Sequence, residues 1–350
     1  MTIKIHTFNV SHGDSLIIEI NTTKRNYHLV IDCHNPNRNA DSPTLNFLKQ
    51  NRITHLDLVC LTHPDIDHYS GMYQLLEYYS RDSRTIGDFI LPILDHKYLT
   101  HLTSKRKEVE IKKLYSLVGD LQSKQKLTIR TAGFNTIILE ENEIKIISLS
   151  PLGIHFEQYA KQVRKRNLEI LENKKPSSIN SNLISIVLLI QFDTSNSLLC
   201  SDATASMIEG SLKKWVGNAK KEREQIRFNF IKISHHGSKH NHSVHLLKDY
   251  TIPTSSNAAL SCGAEWPHQE VIDDLKKYKI NTYATNKTGC LRDNLLIKAK
   301  DENIPFTVKE GLDNLSMQDL VDQHLHGDIS FIDDTTQQII KTQFNILPIR

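Results

Sequence analysis

The chain has little of what would place it in a specialised class. Only five cysteines occur among 350 residues, Cys33, Cys60, Cys200, Cys262 and Cys290, and no two form a CxxC pair. That argues against a thiolate zinc site or a disulfide framework and suits a reducing compartment. Long apolar runs are also missing. The longest, "LISIVLLI" (Leu183 to Ile190), is far too short to cross a bilayer, and the opening "MTIKIHTFNV" has no stretch fit for a signal peptide. Nor does one charge dominate. Lys and Arg number 43 against 40 Asp and Glu, and a formal net charge of +3 is too small to argue for nucleic acid by itself. No short repeat or low-complexity tract is present. What remains is an ordinary soluble chain, 39% hydrophobic and 24% charged, expected in the cytoplasm and able to bury a sizeable core.

What is present alternates between strand and helix signals. "IKIHTFNV" and "SLIIEI" are β-rich runs split by the turn "SHGDS", and "YHLVIDC" is a third strand ending near Asp32. "SPTLNFLKQNRI" has helical spacing, and "LDLVCLTH" is a short apolar run closing on His63. "GMYQLLEYYS" continues as a helix. Residues 98–126 are Lys-rich and helical in pattern, and residues 127–151 return to strands around an "EEN" turn. A basic helix with a polar Pro/Ser hinge occupies 156–178. "NLISIVLLIQF" and "SLLCSDA" read as buried strands, the second delivering Asp202, and "FNFIKISHH" delivers His235 and His236. Amphipathic helices begin near Ser206 and at "HQEVIDDLKKYK". The alternation predicts an α/β fold.

The chemistry concentrates in "LTHPDIDHYSGM", where His63, Asp65, Asp67 and His68 fall within one hexapeptide at a strand-to-helix junction. On a turn those side chains can converge, whereas on a helix positions 63 and 65 diverge. Together with Asp202 and the His235-His236 doublet, three strand ends supply hard carboxylate oxygens and imidazole nitrogens. Such a set can hold two divalent ions with one carboxylate bridging. A metal pair of that kind acidifies a shared water, which makes metal-assisted hydrolysis the reaction class.

With these residues in view, the sequence resembles the metallo-β-lactamase fold superfamily, and within it the hydrolase domain of ComEC-type competence proteins and their stand-alone relatives. The resemblance covers roughly Ile3 to Lys298. "FNVSHGDSLIIEI" is similar to that group's "DVGQGDS" hairpin, with Asn9, Ser11 and His12 as departures, and "LVIDCH" to "LIDTG", with His34 for Gly. "THPDIDHYSG" fits its HxDxDHxxG, "NSNLISIVL" its "NxNSLVL", "LLCSDA" its "LLTGDA" and "ISHHGS" its "PHHGS". "GAEWPHQEVI" resembles "NxYGHPxxxV", and "TNKTG" its late Thr/Gly loop.

The resemblance implies an αββα metallo-β-lactamase sandwich, two mixed β-sheets flanked by helices, over residues 1–300. Helical insertions fall near 98–126 and 156–178, and residues 301–350 form a C-terminal extension of unassigned role. It assigns His63 and Asp65 to the first metal, Asp67 and His68 to the second, Asp202 to the bridge and His236 as a further ligand. His235 then faces substrate as proton donor or phosphate contact, so Asp67, Asp202 and His235 carry the catalysis. Asp14 and Asp32 either orient the ligand imidazoles or cap turns. Ser238 either contacts phosphate or serves its turn, and His268 is a substrate-side group or a helix-start residue. The superfamily's separate His before the bridging Asp is replaced here by "SLSPLGIHF", a Ser-Pro pattern, with His155 just past it as a substitute candidate.

Three carboxylates against two divalent cations leave a slight positive excess that suits a phosphate, with Zn²⁺ or Mn²⁺ as the ions. The implied activity is a phosphodiesterase or nuclease acting on DNA or RNA. The alternatives are hydrolysis of a small ester, thioester or lactam, and a non-catalytic binding protein that keeps the fold. The basic runs "KQVRKR", "ENKK", Lys213-Lys214 and "KKER" suit a nucleic-acid backbone, yet acidic residues interleave them and aromatics are sparse there.

Overall fold

The apolar runs fold into two mixed β-sheets, seen in a computed structural model. It describes residues 2–286, apart from 82, 94–104, 142–143, 218–225 and 264, and the strand segments 329–334 and 338–342. The whole basic run "KKER", the last three residues of the late Thr/Gly loop, the first residues of the 98–126 insertion, the tip of the "EEN" turn and Cys290 lie outside the described residues.

The first sheet contains β1 (Thr2–Thr7), β2 (Ser15–Asn21), β3 (Asn26–Cys33), β4 (His55–Cys60), β5 (Thr85–Leu91) and β6 (Thr128–Thr131). The second contains β7 (Thr136–Glu141), β8 (Ile144–Ser150), β9 (Val187–Phe192), β10 (Ser195–Leu199), β11 (Phe230–Lys232), β12 (Asn257–Leu260) and β13 (Asn281–Ala284). Two late strands, β14 (Ile329–Asp334) and β15 (Gln338–Thr342), extend the first sheet, with β14 antiparallel to β1. Each sheet is antiparallel at one end and parallel at the other, the parallel parts being β3 to β6 and β10 to β13.

Parallel neighbours need crossover connections, and helices supply most of them. They are α1 (Pro43–Gln50), α2 (Ile66–Tyr69), α3 (Met72–Ser80), α4 (Lys105–Ser123), α5 (Gly153–Leu171), α6 (Ala205–Gly217), α7 (Val244–Tyr250) and α8 (Gln269–Lys277). Ser42 shows why α1 begins where it does. Its hydroxyl accepts the Leu45 N–H at 3.2 Å, and Pro43 takes the first turn, where its missing N–H costs nothing.

Both faces of the sheets are covered. Leu16, Ile18 and Ile20 of β2 pack between the sheets with Ile146, Leu188 and Ile190, while Ile17 joins Leu45, Leu48 and Leu75 beneath the helices. This explains why "LVID" and "VLLI" are continuous apolar runs rather than alternating ones. Each such side chain contributes about 1.5–3 kcal/mol by leaving water. The result is the αββα sandwich that the alternation and motifs predict.

Two local expectations change. "NLISIVLLIQF" is not strand throughout, because Ser181–Ile184 forms a turn of 3₁₀ helix, its start capped by the Asn180 side chain accepting the Asn182 N–H at 3.1 Å. α5 begins at Gly153 rather than near Phe156. No helix among the described residues is long and apolar enough to cross a membrane. Cys33, Cys60, Cys200 and Cys262 are buried free thiols, and burial pushes the Cys33 and Cys200 thiols up to about 12.

Candidate metal centre

The parallel halves deliver chemistry to the C-terminal ends of their strands. β4 ends at Cys60, and the chain then runs through Thr62 and His63 into the single helical turn of α2, which carries Asp67 and His68. From the other sheet, β10 leads to Asp202, and β11 leads to His235 and His236. The backbone turns sharply at these ends. Asp32, Ser201, His235 and His236 all take left-handed φ between 46° and 57°, a conformation that disfavours side chains by roughly 1–2 kcal/mol each. Such strain persists only where the surrounding structure over-determines it.

Gly13 lets the first hairpin come this close. Its φ is +146°, and a Cβ there would stand 2.5 Å from the Asp67 carbonyl oxygen and 2.7 Å from the His34 ring. The neighbouring Asp14 N–H donates to that same carbonyl at 3.0 Å, tying the β1–β2 turn to α2.

Four side chains converge. One donor atom from each of Asp67, His68, Asp202 and His236 lies within 4.8 Å of every other. His68 Nε2 is 3.4 Å from Asp202 Oδ2, and His236 Nε2 is 3.4 Å from Asp67 Oδ2. His68, Asp202 and His236 are buried; the Asp67 side chain is 14% exposed, which leaves the centre open on one side.

The imidazoles are oriented from behind. His68 Nδ1 meets Asp32 Oδ2 at 2.8 Å, and Asp32 is itself held by the Thr62 N–H, also at 2.8 Å. His236 Nδ1 meets the Ser261 carbonyl at 2.9 Å, and His235 Nδ1 meets Asn241 Oδ1 at 2.9 Å. Asn241 Nδ2 donates to the Asp202 carbonyl, so its Oδ1 is the acceptor and His235 Nδ1 the donor. On His68 and His236, Nδ1 carries its proton toward an acceptor and Nε2 turns its lone pair to the centre, as a metal ligand must.

The electrostatics point the same way. Burial alone would raise the Asp202 and Asp67 carboxyls, but the adjacent imidazoles outweigh it and hold both well below the usual carboxylate range. Burial alone would lower His68 and His236, but the neighbouring carboxylates push both up. Several buried atoms also have no hydrogen-bond partner: His68 Nε2, Asp202 Oδ1, and both ring nitrogens of His63. A buried polar atom without a partner costs about 1–3 kcal/mol. A divalent ion would satisfy these atoms, and the two-carboxylate, two-imidazole set is a donor set such ions take.

Comparison with known proteins is sparse in sequence. No family model matches the chain, and no curated protein matches it. Among solved structures it is similar to the metallo-β-lactamase fold protein YhfI from Bacillus subtilis, at 10% identity over 79% of this chain and 92% of that one, with a TM-score of 0.40. It is also similar to Zn²⁺-bound PqqB from Methylobacterium extorquens, at 8% identity, 81% and 98% coverage and a TM-score of 0.42. A diphosphatase of the PhnP family gives 10% identity, 77% and 90% coverage and 0.40. Likeness this loose says nothing about chemistry, which rests on the chain's own side chains.

The remaining candidate residues surround the four. His63 is fully buried, its ring 4.9 Å from that of His68 and its Nδ1 3.9 Å from Asp65 Oδ2. Asp65 also accepts from Ser181 Oγ at 3.1 Å, and neither His63 nor Asp65 belongs to the group of four. His235 is partly exposed, with Nε2 3.7 Å from Asp202 Oδ2. Asp14 reaches His236 through Ser261, which donates to it, and pairs with buried Lys232 at 2.9 Å. The Ser238 N–H donates to the His235 carbonyl, and the residue is buried. His268 stands at the start of α8, where its N–H donates to the Gly237 carbonyl and its Nδ1 faces the Lys239 N–H. His155 lies in the first turn of α5, and its Nδ1 accepts the Leu152 N–H at 3.2 Å.

Sequence reading missed His12, Lys232 and Asn241. His12 Nε2 is 3.3 Å from Asp67 Oδ2, and its ring stacks on Trp266 at 4.8 Å. Burial lowers its imidazole against the pull of Asp67. The available signal was its position as a departure within "SHGDS". Lys232 sits inside an apolar strand run, where a lone lysine was itself the signal.

One consequence concerns Asp32. Asp32→Asn keeps the shape but removes the charge and leaves one acceptor oxygen for the two donors, the Thr62 N–H and His68 Nδ1–H, so the His68 tautomer is no longer fixed. Divalent-metal affinity is expected to fall roughly 10–100-fold. Competition with a chromophoric chelator measures it, and unchanged affinity would show that Asp32 does not orient the ligand.

Proposed function

We propose that the protein is a metal-dependent hydrolase of the metallo-β-lactamase superfamily, of ComEC-like type, acting on phosphodiester bonds of DNA or RNA. The observation that carries the reading is the meeting of Asp67, His68, Asp202 and His236 from three strand ends, with donor atoms within 4.8 Å of one another. Asp67, His68, Asp202 and His236 would hold one divalent ion, and His63 and Asp65 with Asp202 would hold a second; Zn²⁺ and Mn²⁺ are the two candidates. Bound there, divalent ions acidify water and screen the charge that develops on a phosphate.

The chain's own residues supply the rest. Asp32 and Ser261 keep two imidazoles turned with Nε2 toward the centre. With its Nδ1–H held by Asn241 Oδ1, a His235 that carries a second proton on Nε2 would hand that proton to the leaving oxygen and be left neutral. The partly exposed side of Asp67 and His235 admits substrate, while the buried side excludes water. Half-exposed His268, at the start of α8, is the further substrate-side candidate, whereas buried Ser238 serves its turn. Four free buried thiols fit a cytoplasmic protein.

The test is elemental analysis of the purified protein, coupled to turnover of bis(p-nitrophenyl) phosphate, a short DNA, a short RNA and a thioester. Two ions per chain are expected, with phosphodiester turnover lost on chelation and restored by Zn²⁺ or Mn²⁺. Thioester turnover without phosphodiester turnover would replace this reading by the small-ester one. A protein that binds no metal would leave only a binding role.

A further inference from the structure

His12, in the turn between β1 and β2, stands beside the four clustered side chains without belonging to them. Its Nε2 is 3.3 Å from Asp67 Oδ2, and its ring lies 4.6 Å from that of His236. The side chain is 35% exposed, whereas His63, His68 and His236 are buried. It therefore lies at the rim of the centre, on the side where Asp67 is open.

Two glycines allow that placement. Gly13, the next residue, brings the turn against Asp67 and His34, and Gly263 does the same from the second sheet. A Cβ on Gly263 would stand 2.5 Å from the His12 N and 2.6 Å from the Ser11 carbonyl oxygen. Close approach lets the Trp266 indole stack on the His12 ring, 4.8 Å away and 17° from parallel, and the same indole lies 5.6 Å from the ring of His235. One aromatic plate thus braces both partly exposed imidazoles. Its own backbone is tied down, with the Trp266 N–H donating to the Gly263 carbonyl at 3.2 Å.

What the two ring nitrogens meet decides their chemistry. His12 Nδ1 is buried and has no hydrogen-bond partner among the described residues, so a proton there would have no acceptor. Nε2 faces a carboxylate oxygen, which favours the proton on that nitrogen. An imidazole protonated on Nε2 has no lone pair there for an ion. His12 is therefore a hydrogen-bond donor, in contrast to His68 and His236, whose Nδ1 atoms donate backward and leave Nε2 free to ligate.

We propose that His12 is a further catalytic residue, which donates from Nε2 to a non-bridging oxygen of the bound phosphate. The inference rests on the phosphodiesterase reading and deepens it. With the Asp67 carboxylate neutralised by a ligated ion, the His12 N–H at the open rim is free to turn to an oxygen bound beside it. Donors held in place before the reaction are the ones that stabilise charge as it develops, and the stacked indole together with the two close backbone approaches supplies that fixity.

Two variants separate donation from packing and from ligation. His12→Phe keeps a ring to stack on Trp266 but has no N–H, and His12→Gln loses the ring but keeps an N–H donor. Each metal-loaded protein is titrated with inorganic phosphate by calorimetry and assayed with bis(p-nitrophenyl) phosphate, alongside elemental analysis and a melting temperature. Loss of one hydrogen bond to a charged group weakens binding about 10- to 100-fold, so His12→Phe is expected to lose that much phosphate affinity and kcat/KM with its metal content unchanged. His12→Gln is expected to recover most of both. Undiminished phosphate binding by a folded His12→Phe overturns the proposal, as does a loss in His12→Gln as large as in His12→Phe. Loss of metal in either variant overturns it too, because His12 would then be a ligand, and so does a wild type that binds no phosphate at millimolar concentration. If His12→Phe does not fold, His12→Ala takes its place with the same outcomes. Failure of the hydrolase reading is a separate result, the absence of phosphodiester turnover by the wild type; phosphate binding lost in His12→Phe and restored in His12→Gln would then still support the contact.

Discussion

Asp202→Ala is expected to release at least one of the two ions and to abolish turnover. Asp202 is 2% exposed, and its Oδ2 stands 3.4 Å from His68 Nε2 and 3.7 Å from His235 Nε2. No other carboxylate approaches both imidazoles among the described residues. Removing it takes away the negative charge that pushes His68 up against burial, and the oxygen that, on the proposed reading, would be shared between two metal positions. The contribution of a bound ion to a phosphate transition state is several kcal/mol, so the rate should fall by roughly a thousandfold or more. Elemental analysis and phosphodiester turnover read the two losses separately. Asp202→Asn is the control for shape, since it keeps the volume and one oxygen while lacking the charge, and it should lose metal nearly as completely. Full metal content in Asp202→Asn together with wild-type turnover would end the proposed mechanism.

Lys232→Met should be the most destabilising substitution near the site. Lys232 and Asp14 are each about 1% exposed and 2.9 Å apart, and Asp14 is tied through Ser261 to His236. Breaking a buried pair by removing one partner leaves the other charge without compensation, at a cost of about 3–5 kcal/mol. Urea unfolding measures it. The double variant Asp14→Asn, Lys232→Met should recover much of the loss, because neither charge is then stranded; an additive loss would show that the two do not act as a pair. The effect has a defined pH dependence. Burial would raise the Asp14 carboxyl, but Lys232 outweighs it and the carboxyl is held below its ordinary value. Its stabilising contribution is therefore complete above the unfolded carboxylate range, near pH 4, and is lost as pH falls through the folded value. The gap between wild type and Lys232→Met should narrow in acid, where Asp14 is protonated in the variant.

Much of the four-residue cluster was legible because its members are neighbours in the chain or sit where strong patterns end. Asp67 and His68 are adjacent, and Asp202 and His236 each follow an apolar strand run. The α/β class followed from apolar runs alternating with helical spacing, whereas the two sheets and the αββα layering were what the resemblance implied. The 3₁₀ turn at Ser181–Ile184 was not legible, since a short apolar run fits strand and helix alike and a side-chain cap decided between them. His12, Lys232 and Asn241 were missed for a different reason. Each acts on a partner in another part of the chain, as Lys232 does on Asp14 across 218 positions, and no local period records such a meeting.

The sequence by itself determined which chemistry was available: oxygen and nitrogen donors, grouped at strand ends, on a chain with no thiolate pair. The tertiary structure decided which of those donors meet and that Nε2 of His68 and of His236 faces inward. The reason is physical. Composition and periodicity are properties of neighbours along the chain, whereas coordination depends on distances between side chains that only the packing of two sheets brings within a few ångströms.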